Sequence, residues 1–377
     1  MPTNKSIWII AAKRTVQGRF LGALAKYSAT ELGIAAGKAA LNGLDPAWVD
    51  MVIVGNVLSA GLGMNIARQI GIGAGAPIST PAYTVNMMCA SGMHAVILAI
   101  QTIQIGAAHM VVCGGTESMS NAPFLLERAR TGYKLGNGVL VDSLLRDGLT
   151  DAFSHEHMGL TAEKIASMHN ISREAQDSFA VSSQHRYAAA KAGGHFSDEL
   201  VTIDALEHDE HPRPGTTLGD LASLKPVFNR DGSITAGNSS GLNDGAAMLA
   251  LCDETWACER GLVPLAVITD HAVVGCDPSM MGMGPVYATH KMSSKPGEFD
   301  IVELNEAFAA QALACIRELG LDEQKVNPDG GAISLGHPIG ASGARLLVHL
   351  AHRRPKRGLA TLCVGGGMGY AVSVEQP

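Results

Sequence analysis

The sequence lacks any uninterrupted apolar run of about 18 residues, so no segment reads as a membrane span. It also lacks an excess of basic charge. Twenty-eight Lys and Arg stand against 35 Asp and Glu, a net charge of −7, so nucleic acid is not expected as a partner. The one basic run, 352–357, reads as a solvated loop face. Seven cysteines are present, an odd number with no CxxC pair, which argues against a disulfide framework or a zinc site and fits a reducing compartment. His155 and His157 have no third ligand in view, so no metal is expected. The glycines at 71, 73 and 75 do not make a GxGxxG between strand and helix, so no dinucleotide site is read. The N-terminal apolar run Ile7–Ala12 is too short for a secretory core, and the last residues are not a peroxisomal address. The expectation is a soluble cytoplasmic protein.

What is present points to a large α/β enzyme. Apolar residues make up 46% and charged ones 17%, enough for a substantial core in a chain of 377 residues. Short β-branched runs recur at 8–10, 51–54, 110–112, 266–269, 301–304 and 359–364. Between them lie Ala- and Leu-rich stretches with helical spacing, at 29–41, 92–105 and 308–318. Alternating strands and helices predict buried sheets covered by helices.

The two ends of the chain resemble each other. The string Asp50–Asn56 resembles Asp300–Asn305, Cys89–Val96 resembles Gly340–Leu347, and Val111–Ser118 resembles Leu362–Gly369. Spacings also agree: 33 positions from Asn56 to Cys89 against 32 from Asn305 to His337. A duplicated α/β unit is read, with an N-terminal half of 1–120 and 241–264 and a C-terminal half of 265–377. The more polar stretch 121–240 reads as an inserted loop domain. Related halves place equivalent strand ends side by side, so Cys89 and His337 should share one cleft.

The chemistry follows from residue type and place. Cys89 sits between an extended segment and the start of an apolar helix, where free N–H groups favour a thiolate. A buried inert cysteine is the plainer reading of that string alone. His337 lies between Gly336 and Pro338 in a loop before a helix. It has little packing reason to be there and suits a general base or an oxyanion donor. Cys363 ends a strand just before Gly365–Gly366–Gly367 and suits a proton carrier.

At these residues the chain resembles the thiolase family. The strings Asn86–Gly92, Thr235–Gly245, Asn305–Phe308, Gly336–Gly340 and Cys363–Gly369 look like its motif blocks, in the family's order and over nearly the whole chain. The resemblance implies the thiolase fold: two duplicated βαβαβαββ halves in a five-layer αβαβα arrangement, with the loop domain over a coenzyme A site. It implies an acetyl-CoA C-acetyltransferase, joining two acetyl-CoA into acetoacetyl-CoA and CoA through an acyl-Cys89, and the reverse thiolysis. Coenzyme A thioesters are then substrates, and no cofactor is implied. His337 is the implied base and Cys363 the implied proton carrier. Asn305 would hold a water beside the enolate, and Gly365 would supply an oxyanion N–H. The implied coenzyme A contacts are Leu149, His157, Met158, Arg213, Ala236, Ser240, Met281, Ala307 and Phe308. Met158 and Met281 would keep the acyl pocket short. A broader-chain 3-ketoacyl-CoA thiolase and a non-catalytic acyl-CoA-binding protein of this fold are the alternatives. The family further implies a homotetramer, or a dimer, with the stretch 122–138 as tetramer loop by position.

Overall fold

The computed structural model describes residues 5–377. Residues 1–4, and with them the start of the first half, lie outside the described residues.

The first half runs β1 (Ile7–Thr15), α1 (Ala29–Ala40), β2 (Met51–Gly55), α2 (Ile66–Ala74), β3 (Ala82–Val85), α3 (Ser91–Gln104), β4 (Met110–Ser118) and, after the insertion, β5 (Asn243–Asp253). The insertion contributes α4 (Met158–Met168) and α5 (Arg173–Ala192). The second half runs β6 (Ala266–Gly275), α6 (Gly284–Lys291), β7 (Ile301–Leu304), α7 (Ala309–Leu319), α8 (Ile339–Arg353), β8 (Arg357–Val364) and β9 (Met368–Glu375). The element order of the first half therefore repeats in the second. There the third strand is reduced to a single parallel bridge, Val302 with Val326.

The strands lie in the order β7-β8-β9-β6-β1-β5-β4-β2-β3. In both halves the pairs nearest the outer edge are parallel and the rest antiparallel. The halves join where β1 pairs antiparallel with β6, Ile7 opposite Ile268. Every residue of β4 and β5 is buried, as a sheet covered on both faces requires.

Five layers follow from where the apolar side chains go. Leu32 and Ala36 of α1 and Ile70 of α2 pack on Val52, Val112 and Ala250 of the first half-sheet. The opposite face of that sheet, through Ile53, Val111 and Leu249, meets α3 and α8. Those helices also cover Ala360, Leu362 and Val372 of the second half-sheet. Val286 of α6 and Ala312 of α7 close the far side on Val302 and Leu359. A helix between two sheets must be apolar all round, and α8 is buried from Ile339 through Ala351. α1 meets solvent on one face, and its start is fixed by a capping box. The Ser28 hydroxyl accepts from the Glu31 N–H at 3.2 Å, and the Glu31 carboxylate accepts from the Ser28 N–H at 2.8 Å.

The insertion does more than cap one face of the first half. Its Ile165, Phe179 and Ala180 pack with Ala309 and Ile316 of α7, so it rests on the second half. Its Leu200–Val201 segment pairs in parallel with Arg14–Thr15 of β1. Beneath that pairing, Arg14 binds Glu199 at 2.5 Å and Asp209 at 2.7 Å, and His349 of α8 binds Glu199 at 2.8 Å and Asp329 at 3.0 Å. These groups are buried, so each charge needs its partner to stay in the core.

Candidate active site

The strand ends named from the sequence converge on one pocket of about 450 Å³, lined by Cys89, His337, Cys363 and Gly365. The carboxyl ends of parallel strands from both halves open onto it, the usual place for a ligand in such sheets.

Cys89 stands in the turn between β3 and α3. Met88 takes a left-handed φ of 48°, uncommon for a residue with a side chain. The turn is braced by Ser91, whose hydroxyl accepts from the Met87 N–H at 2.9 Å and donates to the Met88 carbonyl at 2.7 Å. Burial pushes the Cys89 thiol up to about 11. The N–H groups of Gly365 and of Cys89 itself point at the sulfur and oppose that rise, while Glu117 adds to it. The expectation of a resting thiolate is thus corrected. The helix terminus and its N–H groups are present, but desolvation outweighs them. Cys89 needs a base.

His337 is held in one orientation by its neighbours. Its main-chain N–H donates to Asn243 Oδ1 at 3.0 Å, and Asn243 Nδ2 donates to the Gly18 carbonyl at 2.9 Å. Gly336 must be glycine: its φ is 101°, and a Cβ there would stand 2.3 Å from the Asn243 side chain. The Ser342 hydroxyl donates its one hydrogen to the Pro338 carbonyl at 2.9 Å, so at 2.6 Å from His337 Nδ1 it accepts. The hydrogen therefore sits on Nδ1, and Nε2 carries the lone pair. Asn305 Nδ2 approaches that lone pair at 3.4 Å. Burial, then the nearby Arg345 charge, lowers the imidazole to about 3, so it is neutral at ordinary pH.

Cys363 is the next-to-last residue of β8, and the chain returns through Gly366 and Gly367 at φ of 85° and 83°. Burial, then the neighbouring Cys89 thiol, pushes it well above the ordinary thiol range. It packs with Met158, Met281, Ala307 and Phe308. Asn305, just past β7, is tied by its N–H to the Thr361 carbonyl at 3.0 Å, and its buried Oδ1 has no protein partner.

The remaining residues named from the sequence also line this pocket. Leu149, His157, Met158, Arg213, Ala236 and Ser240 come from the insertion, and Met281, Ala307 and Phe308 from the second half. His157 stacks on Phe228 at 4.5 Å and accepts the Gly159 N–H on Nδ1. The Ser240 N–H donates to the Ala307 carbonyl at 3.0 Å, binding the insertion to the second half at the pocket wall. Glu163 fixes the same block by accepting the N–H groups of Ser233 and Ile234. Lining residues not named from the sequence include Met119, His211, Phe228 and Ile339. Phe228 and His211 sit in the polar insertion, where no periodicity marks a buried face. Ser342 was visible only as part of the Gly340–Gly343 repeat, and Glu117 only as part of the 111–118 repeat.

The structure also sharpens the duplication. Ser342 braces the start of α8 as Ser91 braces that of α3, so Cys89 corresponds to Gly340, as the matched strings have it. His337 lies three residues further upstream than the spacing comparison alone suggests.

Comparison with known proteins gives one answer from both ends of the chain. Residues 7–255 match the family model "Thiolase, N-terminal domain", and residues 262–376 match "Thiolase, C-terminal domain". An acetyl-CoA acetyltransferase of Chromobacterium violaceum is 50% identical, over 98% of this chain and 99% of that one. One of Pseudomonas aeruginosa is 49% identical, over 99% and 100%. Among solved structures, the acetyl-CoA acetyltransferase of Bacillus anthracis is 41% identical with a TM-score of 0.96, covering all of both chains (100% and 100%). Human mitochondrial 3-ketoacyl-CoA thiolase in complex with CoA is 44% identical, also with a TM-score of 0.96, covering 99% of this chain and 98% of that one.

Proposed function

The chain belongs to the thiolase family, and we propose that it is an acetyl-CoA C-acetyltransferase acting through Cys89. The observation that carries this reading is one pocket lined by two thiols and a neutral imidazole.

In this reading the sulfur of Cys89 attacks the carbonyl of acetyl-CoA while His337 Nε2 takes its proton. The N–H groups of Cys89 and Gly365 hold the developing oxyanion. CoA leaves as a thiol with the proton from His337, and acetyl-Cys89 remains. The low basicity of His337 helps it give that proton up. A second acetyl-CoA then binds. His337 takes the proton of Cys363, and the Cys363 thiolate removes one from the acetyl methyl group. The enolate oxygen rests against the His337 Nε2–H and a water on Asn305. The enolate carbon attacks the acetyl carbonyl, the Cys89–acyl bond breaks, and His337 returns its proton to the departing Cys89 sulfur. Acetoacetyl-CoA leaves with both thiols restored, and the reverse sequence is thiolysis. Coenzyme A thioesters are substrates throughout, and no cofactor is assigned.

Leu149, His157, Ala236, Ser240, Ala307 and Phe308 would line the pantetheine, and Arg213 would stand near the nucleotide. Met158 supports a short acyl range. Its sulfur would stand 3.4 Å from a Cβ added at Gly365, and it packs with Met281 and Cys363. The likeness to human 3-ketoacyl-CoA thiolase favours the broader-chain reading instead. CoA-dependent thiolysis across 3-ketoacyl-CoA chain lengths decides between them. A sharp fall above four carbons is expected; equal rates at eight to sixteen carbons would reject the acetyl-CoA assignment.

A homotetramer is the proposed assembly, with a dimer as second choice. The hairpin of Phe124–Leu126 and Leu140–Asp142 exposes Phe124, Leu126, Leu135, Val139 and Leu140, more apolar surface than a solvated arm needs. A light-scattering mass near that of one chain would sink both. A cytoplasmic location fits a mechanism that needs Cys89 and Cys363 as thiols. No helix among the described residues is long and apolar enough to cross a membrane.

A further inference from the structure

Glu117 stands one residue before the end of β4 and is fully buried. All the partners of its carboxylate are amides. Oε1 accepts from Asn56 Nδ2 at 2.8 Å and from the Leu58 N–H at 3.1 Å. Oε2 accepts from the Val57 N–H at 3.1 Å and from the Gly340 N–H at 3.0 Å. The first three donors belong to the loop after β2, in the first half. The fourth is in the first turn of α8, in the second half, three residues after His337. One side chain thus bridges the halves where they meet at the pocket.

The bridge bears on the reacting groups in two ways. Val57, Leu58 and Ile339 form one apolar cluster against which Met88 and Cys89 pack, and Ile339 lines the pocket. Holding the main chain of Val57, Leu58 and Gly340 therefore holds the wall behind Cys89. The carboxylate is also a buried negative charge that Cys89 senses. Burial raises Glu117 itself to about 7, an expensive group to keep in a core for packing alone.

We propose that Glu117 is a positioning residue for the acyl transfer: its carboxylate ties the loop after β2 to the start of α8 and so sets where His337 and Ile339 stand relative to Cys89. This rests on the acetyltransferase reading above. Glu117→Gln keeps the shape but puts an NH2 where one pair of donors needs an acceptor, and it removes the charge. Three measurements test it on the full chain: the melting temperature, kcat and KM for acetoacetyl-CoA thiolysis, and the pH midpoint of Cys89 alkylation by iodoacetamide, followed on the Cys89 peptide by mass spectrometry.

The expected result for the folded variant is a kcat lower by about 10- to 100-fold with KM changed by less than about threefold, the mark of displaced reacting groups. The alkylation midpoint should move down by about half a pH unit or more, because a negative neighbour is gone. A purely structural role would not move it in that direction. An unmoved or higher midpoint, or a kcat within about threefold of the parent enzyme, overturns the proposal. If the Gln variant does not fold, Glu117→Asp serves. It keeps the charge with a shorter reach, so kcat should fall while the midpoint stays, and a parental kcat overturns the proposal. Alkylation needs no acyl-CoA, so its outcome stands apart from any failure of the acetyltransferase reading, which the chain-length series tests separately.

Discussion

The starts of α3 and α8 are the same structure put to different uses. Both follow a loop, both carry a serine that returns a hydrogen bond to the preceding turn, and they pack together through glycines. A Cβ on Gly92 would stand 2.9 Å from the Gly340 carbonyl, and one on Gly343 would stand 2.8 Å from Met93 Cβ. Yet the first half places Cys89 at the position where the second half has Gly340. The second half instead uses its loop to present His337, and its other strand ends to present Asn305 and Cys363. Duplication supplied two equivalent frames, and the site arises because they were filled differently.

The largest effect expected from breaking this division of labour is at the two thiols. Cys89→Ser should lose acylation, with turnover down by about three orders of magnitude or more, since an alcohol is the poorer nucleophile and leaving group. Cys363→Ser should still form the acetyl-enzyme and fail only in condensation. Intact-mass detection of the acetyl adduct separates the two, and near-normal condensation by Cys363→Ser would end its assignment as proton carrier.

A smaller effect, on stability, tests why only one frame carries a side chain. Gly340→Ala would put a Cβ 2.7 Å from both the Glu117 carboxylate and the Thr116 carbonyl and 3.1 Å from Asn56 Cα. Such overpacking against backbone should cost about 1–3 kcal/mol, read by denaturant unfolding. An unchanged midpoint would mean that the two frames are looser than they look.

The smallest effect distinguishes the paired serines. Ser342→Ala frees His337 to put its hydrogen on Nε2, where it cannot act as a base. About tenfold should be lost in kcat, with little change in KM, and Ser342→Thr should restore part of it. Ser91→Ala removes the brace under Met87 and Met88 instead. Its cost of about 1 kcal/mol should appear in stability. Equal kcat losses from the two alanines would show that Ser342 does not act through the imidazole tautomer.

The sequence made some of this legible and hid the rest for physical reasons. Strand and helix positions were readable because apolar periodicity reflects burial directly. Cys89, His337 and Cys363 were readable because each stands at a junction that glycine or proline punctuates, and Asn305 because the repeat matches it to Asn56. The ionisation of Cys89 was misjudged because a helix start can be inferred locally, whereas the depth of burial depends on Val57, Leu58 and Ile339 arriving from elsewhere. Asn243 and Glu117 stayed hidden because their bonds join residues 94 and 223 positions apart. Nothing local distinguishes a buried carboxylate with four amide donors from a solvated one. The insertion's anchorage on the second half was equally invisible, since Phe179 and Ile165 show no sign of which sheet they will cover.

One consequence lies in how the chain comes to be folded. β5 sits between β1 and β4, pairing with both along most of its length, yet it follows them only after the whole insertion. As the chain is synthesised, the long inner edges of β1 and β4 stay unpaired until residue 253 has left the ribosome. Arg14 likewise waits for Glu199, and Glu199 for His349. Such delayed, distant closures make for slow assembly, with sticky edges open meanwhile. The order of the strands thus sets a hazard in biogenesis, separate from any feature of the finished enzyme.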